Sequence, residues 1–281
     1  MIKTARQVRA ALSLLNPAEI RRRATQQVVI GLVAENEGAY RELEEFLIPE
    51  TSSSTARSLE SVYRAGAGGE AQVDLVLYSQ GLPCPRGAFQ HRRDDPEWTT
   101  SEILQHHDDL SLPLARQFPS FRKPVVEKIV HNVSLENAAF ALATALPNVV
   151  PNLLELPWVI GEFASDTAFL TMNQMRMAFL IAAASGAEVG LGNQKAEMMT
   201  IVAGGFGWRA IARELAGKIP LGGGLIPKAA IAYAGTFVVG KGLERFHRTK
   251  LRYTNAEKDE EYRAAFERGK TLAESIRRQP R

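Results

Sequence analysis

The sequence predicts a reduced α/β region with a P-loop-like outline, followed by an all-α bundle, with helix dominating overall. Three observations carry this expectation. Val28-Val29-Ile30-Gly31-Leu32-Val33 is a continuous apolar and β-branched run, the pattern of a buried parallel strand. The polar turn Glu35-Asn36-Glu37-Gly38 then leads to Tyr40, Leu43 and Leu47 at helical spacing, which completes a strand–turn–helix opening. From residue 125 onward, long apolar stretches alternate with helix start and stop signals.

Taken in order, residues 2–15 place Ile2, Val8, Ala11, Leu12 and Leu15 on one helical stripe beside Lys3, Arg6 and Arg9. These first turns lack the apolar run of a secretory signal. Asn16-Pro17 restarts a helix, since Asn caps and Pro suits the first helical position; it ends at Arg21-Arg22-Arg23. After the first α/β unit, residues 51–71 are rich in Ser, Ala and Gly, with a short helix expected over 57–65. Val73-Asp74-Leu75-Val76-Leu77-Tyr78 reads as a second strand, stopped by the prolines around Cys84. Residues 86–123 are polar and read as a mobile loop, or as a short helix over 100–108 with loop on both sides. Two strands are too few for an ordinary doubly wound domain.

The C-terminal half reads as five helices: 125–146 closed by Pro147, 167–185 capped by Asp166 and ended by Gly186, 195–216, 226–248, and 255–277 capped by Thr254. Tyr262, Phe266, Ala273 and Ile276 form one stripe on the last. The organisation is therefore 1–25, basic N-terminal helices; 26–123, the α/β region; 124–253, the helical bundle; and 254–281, a C-terminal amphipathic helix. Net charge is +3, but residues 1–25 and 241–281 each carry +5 and the body between them −7. The single Cys84 excludes a disulfide scaffold and a cysteine-based zinc site.

A phosphate-binding loop needs glycines for backbone wrapping, a Lys for phosphate charge and a Ser or Thr for magnesium. Aligning Gly38, Ala39 and Tyr40 with the Gly-Lys-Ser/Thr positions puts Ala where the Lys belongs and a bulky phenol where the hydroxyl belongs. Glu35 and Glu37 add negative charge facing the would-be phosphates. A guanine-reading Asn/Thr-Lys-x-Asp stretch and a magnesium-holding Asp-x-x-Gly turn are both missing, with Ser79-Gln80-Gly81 at the comparable turn. No cofactor, no metal and no catalytic residue is therefore expected.

Other candidates are weaker. His106-His107-Asp108-Asp109, with His91 and Asp94-Asp95 nearby, offers metal-ligand types, but adjacent histidines diverge on a helix. Cys84, between Pro83 and Pro85, has no local base. Gly190-Leu191-Gly192 follows a helix and lacks the third glycine of a dinucleotide loop. Close helix packing explains Gly186 with Gly190, Gly204-Gly205 with Gly207, and Gly235 with Gly240, so Gly235→Leu is expected to disrupt the bundle. Residues 137–154 and 219–240 approach the length of a membrane span, yet Asn, Pro and Gly interrupt both. The basic ends would favour anionic headgroups at roughly 1 kcal/mol per Lys or Arg near the surface. A buried helical core with a solvated basic rim explains the same pattern. Nucleic acid is disfavoured, because no aromatic is interleaved with the arginines.

Several segments resemble a known family: Asn137 through Pro151, Asp166 through Gln174, Gly205-Phe206-Gly207-Trp208-Arg209, Ala212-Arg213-Glu214-Leu215, Ile219-Pro220 and Ala232 through Gly240. Together they look like the YcjF-type helical domain that follows Era-like small GTPase domains. The resemblance implies a helical bundle over 124–253, a degenerate and shortened G-like region over 26–123, and association with the bacterial inner membrane. No family catalytic residue carries over, since the matching positions hold other side chains. The leading expectation is a non-catalytic, membrane-associated interaction or scaffold protein with a pseudo-G domain, on the cytoplasmic side of the inner membrane or in the cytoplasm. Its partner would be a membrane surface, a membrane protein or a second copy of the chain. The alternatives are a nucleotide-binding switch with an unorthodox site near Gly38 and the 79–95 loop, and a soluble homo-oligomeric helical scaffold.

Overall fold

The computed structural model describes residues 15–49, 59–64, 73–145, 166–197 and 225–278. Residues 19–127 together with 182–188 form one compact unit, and the other described residues form a second.

The first unit is built on a four-stranded parallel sheet. Helix α1 (Pro17–Ala24) starts as expected, with Asn16 in the left-handed region at φ 38°. Strand β1 (Ile30–Val33) is followed by α2 (Glu37–Leu47), β2 (Val62–Arg64), β3 (Leu75–Tyr78) and β4 (Phe89–Gln90), in the sheet order β2-β1-β3-β4. Ile30 stands opposite Val62 on one side and Leu75 on the other, while Leu77 pairs with Phe89. Ile30, Leu32, Leu43, Leu47 and Leu77 are wholly buried, which is why the apolar run of β1 and the stripe of α2 were legible as core.

Two expectations fail here. The segment expected as a helix over 57–65 holds β2 instead. Its side chains are mostly exposed, and it is held by ladder pairing to β1 and by Arg64, which donates to Glu37 and Glu44. An exposed edge strand shows no alternation of apolar residues, so its period cannot be read. In residues 86–123 the expected short helix is present, starting four residues earlier than expected, but the loop expected after it is mostly helical too. These residues contain α3 (Pro96–His106), a 3₁₀ turn (Asp108–Leu110), α4 (Ser111–Gln117) and a second 3₁₀ turn (Pro119–Phe121). Asp95 caps α3 by accepting from the Trp98 amide, with Pro96 in the first turn. Leu110, Leu112, Leu114, Phe118 and Phe121 turn inward behind the polar surface.

Helix α5 (Arg122–Ala145) leads to the helical unit, which also contains α6 (Asp166–Ala184) except its last three residues, α7 (Leu225–Thr249) and α8 (Asn255–Arg278). The start of α7 meets the far part of α8, Ala230 against Gly269, whereas Arg245 near the end of α7 donates to Glu257 at the start of α8. The two helices are therefore antiparallel. Ala229, Ala230, Tyr233, Ala234 and Val238 of α7 pack with Tyr262, Ala265, Phe266 and Ala273 of α8, and with Ala138 and Leu142 of α5. Thr254 and Glu257 form a reciprocal cap: each backbone amide donates to the other's side chain.

The glycines divide by role. Gly186 (φ 80°) ends α6 in a Schellman turn, Gly186 N donating to Ala183 O and Ala187 N to Ala182 O. Gly190 lies in the following turn, so this pair does not mark helix packing. Close approach belongs to Gly240, where an added Cβ would sit 2.7 Å from Val130 Cγ1, and to Gly269, where it would sit 3.0 Å from Ala230 Cα. Gly235 is buried in α7. Gly204, Gly205 and Gly207 lie outside the described residues, as do 198–216 of the expected third helix and 146–154 and 219–224 of the two apolar stretches. Among the described residues, no helix is long and apolar enough to cross a membrane.

A polar chain crosses this apolar core. Asn137 donates to Thr236 Oγ1 (2.7 Å), Asn173 donates to Asn137 Oδ1 (2.9 Å) and Gln174 donates to Thr236 Oγ1 (3.3 Å), all four residues being buried. Arg176 and Glu136, ion-paired at its edge, both bond to Asn173.

Candidate functional site

In a parallel sheet of this order, the connections leave β1 and β3 in opposite directions, and the crevice outside their carboxyl ends is where ligands bind. Only Ala34, Glu35 and Asn36 connect β1 to α2. At this edge Ser79, just past β3, donates its hydroxyl to the exposed Glu35, and this bond holds the Glu35 carboxyl below its ordinary range. Asn36 Oδ1 accepts from Ala39 N at 2.9 Å, so one amide that a phosphate would use is already taken. Glu37 stands in the first turn of α2, paired with Arg64 and held below the usual carboxylate range by it. Gly38 has ordinary backbone geometry, Ala39 is buried, and the Tyr40 ring carries Arg64 at 4.9 Å from its centroid. The turn is three residues long and holds one carboxylate, Glu35, with Glu37 following in the first turn of α2.

The other candidates separate in space. His106 Nδ1 bonds to Glu102 O, and the rings of His106 and His107 both pack edge-on against Phe89. Cys84 is exposed and its thiol pKa is raised by partial burial, the reverse of an activated nucleophile. His91 is buried elsewhere, against Phe46, with ring centroids 4.4 Å apart. Three histidines sit beside a carboxylate, His91 with Glu42, His106 with Glu102 and His247 with Glu197. Among the described residues no group of three metal-ligand side chains converges.

His91 belongs to a site that the sequence did not announce. Three helix faces converge on an open cleft of about 530 Å³ within the α/β unit. From α2 come Glu42, Glu45, Phe46 and, just beyond its end, Pro49, at a spacing that shares one helical face. From α3 come Pro96, Glu97, Thr100 and Ser101; from α5 come Lys123, Pro124 and Glu127. The segment after β4 supplies His91 and Arg93. Arg93 donates through Nε to Glu42 Oε1 at 2.7 Å and pairs with its second oxygen, and this keeps the Glu42 carboxyl well below its ordinary value. Lys123 likewise pairs with Glu97 at 3.2 Å.

The His91 side chain is 4% exposed and its Nε2 lies 3.8 Å from Glu42 Oε1. Its Nδ1 has no hydrogen-bond partner. Burial pushes the imidazole pKa down, partly opposed by Glu42, so the ring is neutral near pH 7. The only sequence signal for this site was the 42, 45, 46, 49 face of one helix; the rest comes from segments up to 85 residues apart. No family model, no curated protein and no solved structure significantly matches the chain.

Proposed function

We propose that this protein is a non-catalytic interaction protein: an α/β unit with the outline of a shortened G domain but without its nucleotide chemistry, joined to a helical bundle that docks on a membrane surface. The observation that carries the first half is the Glu35–Ser79 bond between the ends of β1 and β3, which places a carboxylate at the edge where a nucleotide phosphate would lie. The resemblance of the helical segments to the YcjF-type domain supports the second half. So does the turn between α7 and α8, where Arg248, Lys250 and Arg252 are exposed around Leu251, itself 61% exposed. An apolar side chain ringed by cations suits an anionic lipid interface.

Two measurements test this reading. In a thermal-shift panel, GTP, GDP, ATP and ADP with magnesium are expected to leave Tm unchanged; a concentration-dependent rise would establish a nucleotide switch instead. In vesicle co-sedimentation, the protein should pellet with anionic but not with zwitterionic liposomes. Replacing Arg248, Lys250 and Arg252 together by Gln should weaken binding by about 100-fold, at about 1 kcal/mol per cation. Equal sedimentation of wild type and triple variant would remove the membrane half.

A further inference from the structure

The cleft around His91 has the chemistry of a binding site, and none of residues 34–40 lines it. Its charge is not that of an anion site. Arg93 and Lys123, the two cations of the lining, are already paired with Glu42 and Glu97. With four glutamates against those two cations and a neutral imidazole, the lining carries two negative charges in excess. Glu45, exposed on α2, is in no ion pair among the described residues. The walls are apolar where Phe46, Pro49, Pro96 and Pro124 line them. A buried imidazole nitrogen without a partner then adds an independent demand. With Nε2 3.8 Å from the Glu42 carboxylate, the tautomer protonated on Nε2 leaves Nδ1 a bare acceptor, and a buried acceptor left unpaired is destabilising. The occupant that answers both demands has several N–H donors, a positive charge and an apolar stem.

We propose that this cleft binds a primary alkylammonium group, its stem lying along the proline-lined wall and its nitrogen donating to Glu45 and to His91. A free diamine and the lysine side chain of a partner protein present this same group. The proposal stands apart from the nucleotide and lipid readings, because it concerns different residues and a different ligand.

Calorimetry on the full chain tests it with 1,5-diaminopentane, with an end-blocked Gly-Lys-Gly peptide, and with the N-acetylated form of each. Either amine is expected to bind at millimolar concentration or tighter, and acetylation should abolish the heat. Tighter binding of the diamine assigns a free amine; tighter binding of the peptide assigns a partner's lysine. Glu45→Gln, at an exposed position that leaves the fold intact, should weaken the favoured amine about tenfold, and His91→Gln at least as much. The proposal is overturned if neither amine binds at about 10 mM, if the acetylated probes bind equally well, or if Glu45→Gln leaves affinity unchanged.

Discussion

Ser79, one residue past β3, donates its hydroxyl to Glu35, two residues past β1, and so ties together the carboxyl ends of the two central strands. The bond thereby joins the two strand ends beside the crevice of the sheet. Restoring the missing phosphate-loop side chains should accordingly fail. The double variant Ala39→Lys/Tyr40→Ser is expected to bind magnesium-GTP no more tightly than about 1 mM, because the three-residue turn still lacks the glycine-rich span that surrounds phosphates. A thermal-shift titration reads the outcome, and micromolar binding would mean that turn length is not the obstacle.

Gly269 separates packing from backbone freedom. A methyl there would lie 3.0 Å from Ala230 Cα and 3.2 Å from Ala230 O, backbone atoms that cannot step aside without moving α7. Gly269→Ala should destabilise by about 1–2 kcal/mol, overpacking outweighing the gain in helix propensity. Gly192→Ala meets nothing within 4 Å and should stay within about 0.5 kcal/mol of wild type. Urea denaturation of both variants checks the contrast.

The polar chain inside the bundle should behave as a unit. Asn137→Ala leaves the donors of Asn173 and the hydroxyl of Thr236 short of a partner in a dry interior, at a cost of about 2–4 kcal/mol. Thr236→Val removes the acceptor shared by Asn137 and Gln174 and should cost about 1–3 kcal/mol. A double-mutant cycle between the two is expected to give a coupling of at least about 0.5 kcal/mol, since they are in direct contact.

Acid should weaken the fold in two stages with separate origins. His91 binds its proton at lower pH when folded than when unfolded, so stability falls once pH drops below the ordinary imidazole value of 6.5. The groups that set this shift besides burial are Glu42 on α2, which opposes it, and Arg93, which adds to it. Glu257 is held down to about 2, first by the Thr254 backbone amide and then by Arg245 and the Thr254 hydroxyl. Its contribution is complete above its ordinary value of 4.5 and is lost as pH falls from there towards 2. His91→Gln should flatten the first stage of the stability profile and Glu257→Gln the second, as followed by denaturation at stepped pH.

What could be read from the sequence tracks how local the determining physics is. The ends of the long helices were legible because caps announce them: Pro17, Gly186 and Thr254 act within a few residues of themselves. Strand β1 was legible because burial on both faces leaves an unbroken apolar run. Strands β2 and β4 were not. One is exposed and held by its neighbour's backbone, the other is two residues long, and neither carries a side-chain period. The helices hidden in 86–123 have apolar faces too short to establish a period against their polar residues. Glu35 was recognised as hostile to phosphate, whereas its partner at Ser79 emerges only once β1 and β3 are adjacent. The His91 cleft is more remote still, since no two of its helical faces are neighbours in the chain.

The seven residues 182–188 travel with the α/β unit although they follow it by more than fifty positions. Arg116 of α4 donates to the carbonyls of Ala183 and Ala187 and pairs with Glu188, bonding to the C-terminal end of α6 from a distant part of the sequence. Genetic dissection must respect that path. A fragment cut after residue 127 would keep the guanidinium and discard its acceptors, so loss of a phenotype or of a two-hybrid signal on truncation would report a broken seam rather than a missing binding surface. Internal deletions that remove 182–188 carry the same ambiguity, and point substitutions are the sounder route to assigning what each half of this protein contributes.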